Sequence, residues 1–540
     1  MQAASLSILA VIAAATAFPD VAPAQAAATP SREKPAVSCA PPARAEFDRG
    51  LVLLHHMSYP EARESFSRAL QVDGRCAMAH WGIAMTLFQP LWPTRPGAAE
   101  LRRGREAVEM AAALAPSTAR ERSLIASVQA FYREPAADYW VRIRGWEQAL
   151  AEAHAAHPGD DEIAALRALA LLAVAPTDTA SRGHAERAAE LLLGILERDP
   201  HHPGAQHYLV HANDAPGREG KSPEVVRRYA ADAPDNPHAV HMPTHIYVRQ
   251  GEWSAVVAGN RRAADAALAH PAGEHGDLVW DEFPHAIEYL VYALLQQGRD
   301  SAAAAALERL RSTPRLEPTF KTAFHLSSTA ARHVLERHAW QEAAALPVRE
   351  PAALPWDRFH WPEAVTWFAR GLGAAHESSL PAARDAAARL DTLERAAHGS
   401  GEALFARNIR LLRMELGAWI LHAEGKPDSA RALMGSAAEL EVATPKHAVT
   451  PAPTIPAHEL LGDLLLAQAR PADALAAYRR SLELYPNRFN SLLGAARAAR
   501  AARDTGAARA YYGRLIEVAG ESDRDAVREA QAFVAAEAEQ

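Results

Sequence analysis

Apolar positions along this chain recur at spacings of three and four, not two, in runs closed by turn residues, which is the signature of amphipathic helix. Residues 458–486, HELLGDLLLAQARPADALAAYRRSLELYP, display the unit most clearly: a first helix, a short turn, a second helix, and Pro486 as the stop. In that unit Gly462 lets the paired helices approach, Ala474 packs small and Tyr478 packs large. Residues 489–518 and 47–88 have the same layout, with Tyr59, Ala62, Phe66 and Ala69 in the packing roles of the latter. Degenerate second helices follow at 184–200, 252–268 and 300–311, and a complete pair at 361–376 and 381–396. Repetition of one helix–turn–helix unit over 540 residues predicts an all-α solenoid, in which each pair buries its apolar face against its neighbours.

These units are similar to the tetratricopeptide repeat. The segments LLHHMSYPEA, CAMAHWGIAM, HPGAQHYLVHANDAP, HMPTHIYVRQGEW, HAIEYLVYALLQ and ATPKHAVTPAPTIPAHELLGDLLL carry a narrower resemblance, to a group of exported bacterial tetratricopeptide-repeat proteins. The resemblance runs over nearly the whole chain after its leader. It implies a right-handed superhelix of antiparallel helix pairs and export, and it names no reaction. The expected organisation is a signal peptide at 1–26, an N-terminal arm at 27–45, a solenoid at 46–342, a proline-containing connector at 343–359 and a second solenoid at 360–540.

The leader reading rests on the apolar run LSILAVIAAATAF and the small residues of APAQA, although no Lys or Arg precedes Arg32. It predicts a periplasmic or secreted protein, and no later stretch is long and apolar enough for an integral membrane segment. A net charge of −8 leaves no basic footprint for nucleic acid. The two cysteines, Cys39 and Cys76, can pair in an oxidising compartment; the alternative is two free thiols.

Candidate chemistry lies in the histidines. When HHPGAQHYLVHANDAP and HAVHMPTHIYVRQG are aligned on Gly217 and Gly251, His207 falls on His241 and His211 on His245, each 34 residues apart. Each pair is His-x3-His, so on a helix both rings share one face. Equivalent positions of adjacent repeats lie side by side, and the four imidazoles can therefore converge on one divalent transition metal, with Zn, Cu and Fe all suited to nitrogen ligands. Pro243 interrupts the second pair: a helix starting there would place His241 in the preceding turn and break the shared face. The third frame, HAIEYLVYALLQQG, matches His285 to His238, Glu288 to His241 and Tyr292 to His245, so Glu288 and Tyr292 become the catalytic candidates. Tyr208, Asn213, His238, Asn260, His285 and His447 are expected to line the same groove. His447 belongs to a proline-stiffened loop, 443–456, expected to fold into the groove as a lid or to connect two repeats. His201 and His202 are expected in a solvated turn, His56 and His80 between repeats beside Trp81, and His325, His333, His338 and His398 as packing residues.

Two functions fit these residues. One is a metalloprotein with a His-rich centre on the concave face, performing hydrolytic or oxidative chemistry if the metal keeps an open position. The other is a non-enzymatic module that binds a peptide or small molecule in the groove. No Walker A loop, Rossmann glycine pattern, nucleophile elbow or zincin motif offers a different chemistry.

Overall fold

The computed structural model describes residues 37–538 except 93–94, 135, 177–179, 274–275 and 523. The leader expected at 1–26 therefore lies outside the described residues, as does the first part of the arm. The protein is all-α. Among the described residues the strands amount to one short antiparallel pairing, Pro271–Ala272 with Leu278–Val279. Helices pack mainly on their neighbours in sequence, an arrangement consistent with stacked helix pairs. No helix among the described residues is long and apolar enough to cross a membrane.

The same packing device recurs at both ends of the chain. A Cβ on Gly462 or on Gly494 would collide with the Tyr478 ring, which is fully buried between the helices Ala457–Ala467 and Phe489–Ala501. Near the N-terminus, Phe66 is held in the same way by Gly50 and Gly82. One aromatic ring thus fills the gap between successive first helices, and glycine on both sides makes room for it. Removing either ring would open a cavity costing ~3–5 kcal/mol.

Cys39 and Cys76 form a disulfide that ties the segment before helix Pro41–His55 to the residue capping helix Ala77–Met85. One apolar core runs from Ala43 to Ala212 and a larger one from Val240 to Leu464. The larger core crosses residues 343–359 without a break, because Phe320 stacks on Phe405 at 4.8 Å and meets Phe359 at 6.0 Å.

The chain also closes on itself. Trp253 donates its indole N–H to the Asn487 carbonyl (2.8 Å), and the Phe489 N–H reaches Gln296 Oε1 (3.0 Å). Gly251 ends helix Pro243–Gln250 in a left-handed conformation (φ 68°), and a Cβ there would run into Pro486 and Asn487. Arg488, fully buried, is neutralised by Glu336 and Glu459 at 2.9 and 2.8 Å. This closure brings the C-terminal loop, residues 443–456, against the helices that carry the histidines.

Candidate metal centre

Helix Pro203–Asn213 starts with proline at its first position and is capped by His202, whose Nδ1 accepts the Ala205 N–H (3.2 Å). His202 is consequently buried, whereas the sequence placed it in a solvated turn; its neighbour His201 is exposed and bonded to Asp232. A side chain at Gly204 would overlap His55, so only glycine allows this helix to approach the end of Pro41–His55. That approach positions the His55 carbonyl to accept the Nδ1–H of His207 at 2.6 Å.

The second pair lies across a helix junction. Asn236 caps the short helix Pro237–His241, and a new helix, Pro243–Gln250, follows. The expected loss of register does not occur, because Met242 keeps right-handed helical angles (φ −52°, ψ −41°) despite the proline after it. Thr244 donates its hydroxyl to the His241 carbonyl (2.7 Å), and His241 and His245 remain on one face with their Nε2 atoms 3.0 Å apart. The third helix, Glu282–Gln296, is buried along its whole length and carries His285, Glu288 and Tyr289.

The histidines assemble as two adjoining groups of three, His207 with His211 and His238, and His241 with His245 and His285; within each group the ligand atoms lie within 4.8 Å of one another. The four registered histidines thus divide between the groups and do not surround one point. Each group is completed by a histidine that the sequence put among the groove-lining residues. The groups abut: ring centres of His211 and His245 are 5.9 Å apart, and those of His238 and His241 are 6.2 Å apart.

Hydrogen-bond partners fix the tautomers of four rings. His207 Nδ1 faces the His55 carbonyl and His238 Nδ1 faces Glu282 Oε2 (3.1 Å). His241 Nδ1 faces Asn260 Oδ1 (2.7 Å), with the amide orientation set by Asn260 Nδ2 donating to the Val256 carbonyl, and His245 Nδ1 faces Asp214 Oδ2 (2.8 Å). All four partners only accept, so each Nδ1 carries a proton, and in the neutral form of each ring Nε2 is then a lone pair. His207 Nε2 and His238 Nε2 nevertheless stand 3.0 Å apart, as do the Nε2 atoms of His241 and His245. Burial favours the uncharged rings: it holds His207, His211, His241 and His285 well below the ordinary imidazole range, and His245 down to about 4 against the pull of Asp214.

Behind the rings sit charges with their own partners. Burial would raise the Asp214 carboxyl, but Lys446 at 2.6 Å and Arg249 at 2.9 Å hold it well below the usual carboxylate range. Glu282 is held down in the same way, chiefly by Lys321. His285 donates through Nδ1 to His325 Nε2 (2.8 Å), and His325 Nδ1 donates to Glu288 Oε2 (2.5 Å); Glu288 also accepts from Ser328 (2.6 Å) and Arg332 (2.9 Å). His285 Nε2 is buried with no partner. His325, assigned by sequence to packing, is the middle of a carboxylate–imidazole–imidazole chain. Glu288 is the far end of that chain and does not itself reach the two groups.

The remaining candidates divide. Asn260 orients His241. Tyr208 is turned away, its hydroxyl 3.0 Å from His55 Nδ1. Asn213 is bonded to Ser222 and Arg218, because it ends its helix facing that loop. Tyr292 is not at the centre: it lies one helical turn beyond, accepting from Arg488 Nη1 (2.8 Å) under the Arg332 guanidinium. The phenol whose hydroxyl touches a histidine of the two groups is Tyr289, 3.3 Å from His245 Nδ1 and donating to the Thr450 carbonyl (3.2 Å). Tyr289 follows His285 at the same x3 spacing as the histidine pairs, a signal that alignment by frame overlooks. His447 packs on Trp361 and Phe405 and belongs to neither group, but it lines the cavity that also touches His211. Its loop does pack on the centre, through Lys446 on Asp214 and four hydrogen bonds from Arg332 to the Pro453, Thr454 and Ala452 carbonyls and the Thr450 hydroxyl.

A third cluster, His55, Glu162 and His202, also has ligand atoms in range. Here His202 Nδ1 is the acceptor of a backbone N–H, so its proton sits on Nε2 and no lone pair faces Glu162. This cluster is a hydrogen-bonded network around Glu162, whose carboxyl burial would raise but His55 and His202 hold down to about 2.

A cavity of about 710 Å³ reaches the centre, with His211, Asp214 and Lys446 in its wall beside Trp92, whose ring meets His238 edge-on at 5.4 Å. That volume suits a small organic ligand. No protein-family profile matches the chain, and no curated protein is significantly similar to it in sequence.

Proposed function

We propose that this is an exported tetratricopeptide-repeat metalloprotein that holds two transition-metal ions side by side, one on His207, His211 and His238 and one on His241, His245 and His285, and that acts on a small molecule in the adjoining cavity. One observation carries the reading. In each group two Nε2 lone pairs face each other at 3.0 Å, with both protons committed elsewhere. Between neutral rings two lone pairs at that distance repel, and no hydrogen bond can join them. A cation between them removes the repulsion, since ligands at 2.0–2.1 Å from a tetrahedral ion are themselves about 3.3 Å apart.

Both donor sets are neutral imidazoles without thiolate or carboxylate, which suits Zn, Cu or Fe and disfavours Mg, Ca or Mn. Three protein ligands leave a position for water or substrate, so such ions supply Lewis acidity or, if redox-active, electron transfer. The protein's own part is to fix tautomers through Asp214, Glu282, Asn260 and the His55 carbonyl, and to let His325 and Glu288 take up positive charge that develops on His285.

Elemental analysis of untagged protein tests this directly. About two ions per chain are expected, about one in His238→Ala and in His285→Ala, and none when both are changed. Free metal at about a thousand times Kd should stabilise the protein by about 4 kcal/mol per site. Metal-free protein whose unfolding is insensitive to added Zn, Cu and Fe would overturn the proposal and leave the interaction-module reading.

A further inference from the structure

The cavity has a second feature that the histidines do not use. Glu415, on helix Ala403–Ala423, lines it and is 1% exposed, yet neither carboxyl oxygen has a hydrogen-bond partner. The other carboxylates of the wall are answered: Asp214 by Lys446 and Arg249, Glu402 by Arg95 at 3.4 Å, and Glu441 by the Ala457 N–H (3.0 Å) and the Tyr485 hydroxyl (3.2 Å). The same pairs occupy the cations Arg95, Arg249 and Lys446. The wall also carries aromatic rings, among them Trp92, Trp140, Phe324, Trp361 and Phe405.

A buried carboxyl left without a partner where the other wall carboxylates have theirs calls for an explanation, and a ligand that brings the missing positive donor supplies one. Aromatic walls favour both an apolar body and a cation on their faces. We infer that the cavity binds a ligand bearing one ammonium group on an apolar, ring-sized body, with the ammonium on Glu415 and the body directed along the cavity that also reaches the histidines. Burial, reinforced by Glu441, holds the Glu415 carboxyl well above the usual range, and an ammonium beside it would oppose that shift. The inference rests on the cavity being the substrate side of the centre, but the ammonium contact itself does not require metal.

Calorimetric titration with 2-phenylethylamine and tryptamine, against the alcohols of the same shape, provides the test. The amines should bind the wild type at least about tenfold more tightly than the alcohols. That preference should vanish in Glu415→Gln and persist in His238→Ala, so failure of the metal reading and failure of this one are separately visible. A capped peptide with lysine against its norleucine counterpart distinguishes sources: a preference found only there makes the ammonium a lysine side chain. Equal binding of charged and uncharged members of every pair, or a preference unchanged in Glu415→Gln, overturns the inference. Should Glu415→Gln not fold, a wild-type crystal soaked with a bromophenylethylamine decides: nitrogen at Glu415 supports the assignment, and nitrogen elsewhere refutes it.

Discussion

Asp214→Asn separates the electrostatic role of this residue from its shape. The carboxylate is 6% exposed and receives Lys446 at 2.6 Å, Arg249 at 2.9 Å and His245 Nδ1 at 2.8 Å, the two cations being 9% and 7% exposed. The amide has the same outline but no charge, and it turns one N–H toward a donor. Two buried cations then lack their counter-charge, and breaking a buried pair by removing one partner costs ~3–5 kcal/mol. The lower end applies here. Lys446 keeps the Thr450 carbonyl (2.8 Å) and Arg249 keeps the backbone oxygen of residue 214 (3.1 Å), so a loss of about 3 kcal/mol is expected. Against a total stability of ~5–15 kcal/mol that is a large fraction. His245 loses its anionic acceptor as well, and affinity in its group should fall ~10–100-fold while the His207 group is unaffected. Denaturant unfolding of chelator-treated protein measures the first quantity, and competition with a chromophoric chelator the second. If Asp214→Asn unfolds within about 0.5 kcal/mol of wild type and binds metal as tightly, Asp214 neither neutralises the loop nor sets the tautomer of His245.

Three further outcomes are expected. His325→Ala cuts the Glu288–His325–His285 chain, so metal should be lost from the His241 group alone; elemental analysis showing both sites still filled would remove His325 from the centre. His56, 6% exposed against Tyr229, is pushed down to about 3 by burial from 6.5. Its stabilising contribution is complete above 6.5 and lost as pH falls toward 3, so at pH 5 about 2 kcal/mol is gone, and His56→Gln should flatten the unfolding-versus-pH curve of metal-free protein by that amount. Glu441, raised to about 7 by burial, acts with the opposite sign over part of this range, which is why the comparison with the variant carries the prediction and not the wild-type slope. Removing the Cys39–Cys76 disulfide, which spans 37 residues, should cost about 3–4 kcal/mol by loop-closure entropy, and equal unfolding midpoints with and without reductant would refute it.

The helices were legible because burial on one face writes a period into the sequence, and the glycine–aromatic packing at Tyr478 and Phe66 is that period made three-dimensional. The 34-residue register found residues that do stand together, since equivalent positions of adjacent units are neighbours. It did not find how they group. Which imidazoles meet depends on the offset between neighbouring helices, and here His238, three residues before its registered partner, is the ring that reaches across to His207. Frame alignment likewise chose Tyr292, whereas helical spacing from His285 leads to Tyr289. His325 belongs to no shared frame, because it enters from a helix 40 residues later.

The largest gap is in what would make these imidazoles ligands. His207 owes its tautomer to a carbonyl 152 residues earlier, and the loop that braces Asp214 arrives from beyond residue 440 through closure of the chain. A histidine repeat can be read locally, but the direction of its lone pair cannot. Gly204 is the one local trace of that long-range geometry, conspicuous in HPGAQH yet meaningful only once His55 is seen against it. The same reasoning makes the first group more fragile to distant change than its sequence suggests. A substitution at Gly204 would push helix Pro203–Asn213 off the His55 carbonyl and release the proton of His207 Nδ1 from its acceptor, so on the proposed reading elemental analysis should find less metal in the first group with every candidate ligand unchanged.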